Sequence, residues 1–143
     1  FEAGSVIDCT VLAHDDDVEL STLSFPGGQL RVPRIDLGPG EPLRVRIRAR
    51  DVALSLSRPM DVSITNRLPG RLVAIADQSG PYTEAIVDVG GGVTIRSLIT
   101  RESAIRLGLE PGLAVWALVK TVAFDNRSVG SRHRDPLSDD DLE

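Results

Sequence analysis

A sequence that repeats itself must build the same small fold twice, and this chain does so. Leu37-Gly38-Pro39-Gly40 returns as Leu109-Glu110-Pro111-Gly112, 72 positions later. The same offset carries Leu43-Arg44-Val45-Arg46-Ile47-Arg48 onto Val115-Trp116-Ala117-Leu118-Val119-Lys120. Two extra residues in the first copy, Arg50 and Asp51, then separate Val52-Ala53-Leu54 from its counterpart Val122-Ala123-Phe124. Earlier in each copy, Gly4-Ser5-Val6-Ile7 is set against Gly70-Arg71-Leu72-Val73, and Gly27-Gly28 against Gly91-Gly92. The repeat is roughly 55–60 residues long, and two copies are too few for a solenoid. They fit a pair of small barrels that share strands or pack extensively, because so short a unit is marginal alone.

The hydrophobic period is two. Leu43, Val45 and Ile47 alternate with Arg44, Arg46 and Arg48, and Val87 and Val89 flank Asp88 before the Gly90-Gly91-Gly92 turn. Ile64 to Ile75 forms a long strand, with a bend or bulge expected at Pro69-Gly70. One segment, Arg101 to Leu107, has a helical pattern. Thr100 is placed to N-cap it, Glu102 complements its dipole, and Gly108 can close it. The first copy has no counterpart to this helix. The expected architecture is all-β: two OB-like barrel lobes with one short helix in the second. The expected divisions are a first lobe at 1–57, a linker at 58–62, a second lobe at 63–125, and a disordered polar tail at 126–143.

Composition removes several function classes. Among 143 residues there are 16 Lys+Arg and 21 Asp+Glu, a net charge of −5, with five aromatic residues. Such a chain is poorly suited to nucleic acid, which favours basic surfaces and stacking platforms. The row Arg44, Arg46, Arg48 and Arg50 is the one basic stripe, and a solvated strand face accounts for it. A single cysteine, Cys9, excludes an intrachain disulfide or a zinc site built on several cysteines. No apolar run is long enough to cross a membrane as a helix. With neither an initiator Met nor a signal-peptide pattern at Phe1, the chain is expected to be a piece of something larger.

Catalytic motifs are absent from the sequence. There is no Gly-x-Ser-x-Gly elbow, no His-Glu-x-x-His, and no phosphate-binding loop for ATP. His14-Asp15-Asp16-Asp17 suggests a metal site, but neighbouring strand residues point to opposite faces, so a polar hairpin loop is preferred. His133 falls in the tail. Cys9 fits a small core residue. One constellation remains: Ser63, Thr65 and Asn66 open the second copy, Thr100 and Ser103 start its helix, and Lys120 and Thr121 end its penultimate strand. Hydroxyls, an amide, backbone N–H groups and one cation, with no carboxylate, are what a small tetrahedral oxyanion requires. Ordinary strand and cap residues would supply the same set.

The stretch Ser63-Ile64-Thr65-Asn66-Arg67-Leu68-Pro69-Gly70-Arg71-Leu72-Val73 resembles the opening of the molybdate-binding Mop, or TOBE, domain. So does Leu98 to Gly112, with its Ile99-Thr100-Arg101-Glu102-Ser103 core, followed by Val119-Lys120-Thr121-Val122. In the first copy, Ile47 to Leu54 looks like the same terminal strand motif. The tandem arrangement resembles the C-terminal part of the ATP-binding subunit of a molybdate ABC transporter. The resemblance implies a ligand, molybdate or tungstate, bound where Mop units meet. It places Ser63, Thr65, Asn66, Thr100, Ser103, Lys120 and Thr121 in that role, with Arg48 standing for the lysine in the first copy. Thr65 takes a place the family often gives to arginine.

It further implies a homodimer, an ATPase domain preceding Phe1 that would bind the ATP, transporter membrane subunits as partners, no enzyme activity in this chain itself, and a position at the cytoplasmic face of a bacterial membrane. The alternative is a TOBE module that serves structure and dimerisation and binds no oxyanion.

Overall fold

The computed structural model describes residues 4–124. The expected tail at 126–143 lies outside the described residues. Among the described residues ten strands form two five-stranded sheets, with one α-helix between strands of the second repeat. The first repeat supplies β1 (Gly4–Asp15), β2 (Leu20–Phe25), β3 (Gly28–Pro33) and β4 (Pro42–Arg48). After a 3-10 turn at Ala49–Asp51 comes β5 (Val52–Ser55). The second repeat supplies β6 (Asn66–Asp77), β7 (Tyr82–Asp88), β8 (Thr94–Thr100), helix α1 (Arg101–Leu107), β9 (Ala114–Val119) and β10 (Ala123–Phe124).

Sheet order shows that the terminal strands are exchanged. One sheet runs β10-β4-β1-β2-β3 and the other β5-β9-β6-β7-β8. The last strand of each repeat therefore lies in the sheet of the other. The registers correspond: Ala53 faces Leu118 and Leu54 faces Ala117, just as Ala123 faces Arg46 and Phe124 faces Val45. Each repeat also makes the same pair of backbone bonds. Val11 N–H donates to the Glu41 carbonyl and Gly40 N–H to the Val11 carbonyl, at 2.9 and 2.8 Å. Leu72 N–H donates to the Leu113 carbonyl and Gly112 N–H to the Leu72 carbonyl, at 2.9 and 2.7 Å.

Those bonds revise one correspondence. Val11 is matched to Leu72, an offset of 61, so Ser5 corresponds to Asn66 and Gly4 to Thr65. Matching Gly4 to Gly70 slips β1 by five residues, an odd number that sets the outward positions of one strand against the inward positions of the other.

The chain forms two compact units that do not divide at 57–62. The helix-bearing unit comprises residues 4–5, 26–28 and 47–121. The helix-free unit comprises residues 6–25, 29–46 and 122–124 among the described residues. A cut after Ser57 assigns β5 by chain order, whereas its backbone hydrogen bonds assign it to β9. The helix-bearing core is aliphatic: Val52, Leu68, Leu72, Val87, Ile95, Val115 and Val119 are buried, as the period-two pattern requires. The helix-free unit buries Val11, Leu23, Leu30, Val32 and Val45 in the same way. Helix α1 carries no buried residue, and Ile105 is 80% exposed.

The anticipated irregularity in β6 falls elsewhere. Pairing with β9 continues without interruption through Pro69 and Gly70, and the bulge lies at Val73, between Leu72 and Ala74. Its counterpart in β1 lies at Leu12. Pro69 is tolerated because the pairing of β6 with β7 begins only at Arg71, so on that side β6 is still an edge at Pro69 and no ladder bond is lost. Gly70 is there for a different reason. A Cβ would stand 2.6 Å from both the Asp88 carbonyl oxygen and Val87 Cγ1. Gly70→Ala is expected to cost about 1–3 kcal/mol of stability, the range for overpacking, measured by urea unfolding. Gly92→Ala, with open space around it, is expected to cost about 1 kcal/mol through its positive φ of 79°.

Candidate functional site

Strand register gathers most of the candidate oxyanion residues. Asn66 faces Val119 across the β6–β9 pair, and Val52 faces Val119 from the other side. Thr65 and Lys120 are the next residues beyond that last register pair, with Ser63 upstream and Thr121 downstream in the sequence. Asn66 is buried, while Ser63, Thr65, Lys120 and Thr121 are exposed. A surface patch of hydroxyls with one ammonium therefore tops the open end of these strands.

Arg48 belongs to the same place. The 3-10 turn after it folds back so that the Asp51 carbonyl accepts the Lys120 N–H at 2.8 Å. The Asp51 carboxylate accepts from Arg48 Nε at 2.9 Å, a half-buried ion pair. Asp51 thus touches both members of the repeated cation position, Arg48 by side chain and the Lys120 residue by backbone. Composition and motif matching do not single out Asp51. The visible signal is the two-residue insertion, Arg50 and Asp51, that interrupts the repeat.

Thr100 and Ser103 stand apart from this group. Thr100 ends β8 opposite Tyr82, at the end of β7 remote from the one that neighbours the start of β6. Their hydroxyls cap the helix. Thr100 Oγ1 accepts the Ser103 N–H at 3.1 Å and donates to Ser103 Oγ at 3.0 Å, and Arg106 donates to the same Ser103 oxygen at 3.2 Å. Gly108 closes the helix in the left-handed conformation, φ 64°. An open depression of about 340 Å³ between β5 and α1 is lined in part by Ser55, Ser103 and Arg106. Lys120 is not in its lining.

The other sequence candidates have structural roles. His14 Nδ1 lies 2.7 Å from Ser21 Oγ, and Nε2 lies 2.7 Å from the Leu37 carbonyl. A carbonyl can only accept, so Nε2 carries the proton; Ser21 Oγ meanwhile accepts the Ile35 N–H at 3.1 Å. His14 therefore ties the hairpin to the 35–37 segment. Asp15 pairs with Arg31 and Asp16 with Arg34. Among the described residues no His, Cys, Asp and Glu side chains converge as a metal site. The arginine stripe is partly neutralised, since Arg44 pairs with Asp8 and Arg48 with Asp51. Among the described residues no helix is long and apolar enough to cross a membrane.

Cys9 is buried in β1. Burial, aided by the neighbouring Asp8 carboxylate, pushes its thiol from 9.0 up to about 11.

Residues 62–124 match the TOBE domain family. The backbone resembles that of the cytoplasmic molybdate-binding protein ModG, solved with molybdate bound, with a TM-score of 0.71 at 23% identity, covering 84% of this chain and 95% of that one. Its sequence relatives are molybdenum import ATP-binding proteins named ModC. The protein from Mesorhizobium japonicum is 42% identical over 130 residues, covering 91% of this chain and 35% of that one. That from Azotobacter vinelandii is 41% identical over 123 residues, covering 86% and 34%. The chain spans about a third of the length of these relatives.

Because the folded state holds the Cys9 proton more tightly than the unfolded state, this contribution to stability is complete below pH 9. It is lost as pH rises from 9 to about 11. Unfolding midpoints measured across that window are expected to fall, and to fall less in Cys9→Ala. In the folded protein at neutral pH the thiol is expected to resist alkylation, read by mass spectrometry.

Proposed function

We propose that this chain is the oxyanion-binding regulatory part of the ATP-binding subunit of a molybdate importer. The observation that carries it is the Asn66–Val119 register pair, which brings the segment holding Ser63 and Thr65 to the end of β9, where Lys120 and Thr121 follow. A tetrahedral dianion is matched by several neutral donors and one ammonium, because charge-assisted hydrogen bonds carry affinity while the cation limits repulsion. The name and bound ligand of the structural neighbour, together with the names of the sequence relatives, support molybdate as that anion; tungstate has nearly the same size and charge.

The separation of Thr100 and Ser103 from Lys120 bears on assembly. A site that uses all of these residues takes Thr100 and Ser103 from one copy of the domain and Lys120 from another. This favours a homodimer with the ligand at a contact between units. In the full-length protein an ATPase domain would bind ATP and membrane subunits would be partners, which places this domain on the cytoplasmic side. Ligand would bias the ATPase only through unequal affinity for its two states.

Isothermal titration with molybdate, tungstate and sulfate tests this. Molybdate and tungstate are expected to bind, and Lys120→Ala is expected to weaken them about tenfold, by loss of a charge-assisted bond. Arg48→Ala is expected to weaken them less. Absence of heat with all three anions, from a properly assembled protein, overturns the proposal. A mass measurement showing dimers indifferent to molybdate would point instead to a purely structural TOBE module.

A further inference from the structure

The two repeats carry a cation at the same position, yet only one of those cations is left to a ligand. Lys120 directly follows β9 and Arg48 ends β4, and their positions differ by 72 as those of the strands do. Their surroundings differ at three corresponding residues. Thr65, beside Lys120, is replaced in the first repeat by Gly4. A Cβ at Gly4 would lie 2.8 Å from the Ile47 carbonyl oxygen and 3.3 Å from Arg48 Cα, so no threonine fits there without moving the backbone. Thr121 is replaced by Ala49, which is buried. Asn66 is replaced by Ser5, whose Oγ accepts the Arg96 N–H at 3.1 Å. The first-repeat cation thus lacks counterparts of Thr65 and Thr121, the two threonines next to Lys120.

It has gained an anion instead. The inserted Asp51 sets its carboxylate 2.9 Å from Arg48 Nε, and the same residue's carbonyl holds the Lys120 backbone N–H. Among the described residues Lys120 itself has no ion-pair partner. The turn anchored on Lys120 therefore carries a fixed negative charge into the surroundings of the proposed oxyanion patch.

We propose that Asp51 is an affinity-setting residue: an internal carboxylate that stands on Arg48 in place of an oxyanion, and keeps the combined charge of Arg48, Asp51 and Lys120 at one positive unit. This rests on the oxyanion reading of the Lys120 patch. Arg48 then acts by neutralising Asp51 and touches no ligand. With the pair intact, a dianion meets one net positive charge. With the carboxylate removed, it meets two. With the guanidinium removed, it meets an unmasked carboxylate. Because these charges lie near the surface and act in high effective dielectric, each step is worth a several-fold change and not orders of magnitude.

A double-mutant cycle, titrated with molybdate at low salt, tests whether the Asp51 carboxylate acts on the ligand. Asp51→Asn is expected to tighten molybdate about fivefold, and Arg48→Ala to weaken it about threefold. The double variant Arg48→Ala/Asp51→Asn is expected to return to within about twofold of the wild type, and both single effects are expected to shrink in high salt. If the Asp51 carboxylate did not act on the ligand, the double variant would stay as weak as Arg48→Ala, which overturns the proposal. Wild-type binding that Asp51→Asn leaves unchanged also overturns it, while the oxyanion reading survives. No binding by the wild type or any variant overturns both. Should Asp51→Asn fail to fold, shown by circular dichroism, the comparison of Arg48→Ala with the double variant still decides; a double variant that is also unfolded makes Asp51 a structural residue and overturns the proposal.

Discussion

Val119 is the position on which the rest of the helix-bearing unit depends. It is fully buried at the end of β9, with Val52 in register on one side and Asn66 on the other. Those two pairings fix β5 against β9 and begin β6 at the same level. Once they are made, the direction of each chain segment is set. The 3-10 turn must deliver Asp51 to the Lys120 N–H, and Thr65 must emerge beside Lys120. The polar patch is a consequence of how three aliphatic strands end, and its residues are positioned by backbone hydrogen bonds more than by one another.

The exchange of terminal strands explains how so small a repeat can be stable. A lobe of this size buries too little apolar surface to fold well alone. Moving β5 into the sheet of β9, and β10 into the sheet of β4, lets each sheet reach five strands. It also covers an edge of β9 and of β4 that would otherwise present unpaired N–H and C=O groups. The cost is a crossing segment in each repeat, and only the first contains the Arg50-Asp51 insertion. That difference breaks the structural symmetry of the two copies.

Much of this was legible in the sequence. Thr100, Glu102 and Gly108 marked the helix because capping is local: a hydroxyl reaches an N–H three residues away, and glycine closes the helix at positive φ. The shared registers of β5 and β10 were likewise visible as the offset between Val52-Ala53-Leu54 and Val122-Ala123-Phe124. The position of the bulge was not. Pro69-Gly70 advertised a break, whereas Val73 bears it, because a glycine can also answer to a neighbouring strand's backbone. Asp51 carried no motif, and its partners are known only when the turn is folded.

The sequence by itself determined which residues face inward, where the helix stands, and that one fold is built twice, since periodicity, caps and repeats are properties of neighbouring residues. Tertiary structure alone decided which sheet each terminal strand joins and which cation is masked. Thr100 and Ser103 were grouped with Lys120 by residue type, but the strands carry them to different ends. Lys120 and Arg48 are equivalent in sequence and unequal in space, because an aspartate three residues after Arg48 is folded back onto it. Such distinctions depend on long-range pairing, which spacing along a chain does not encode.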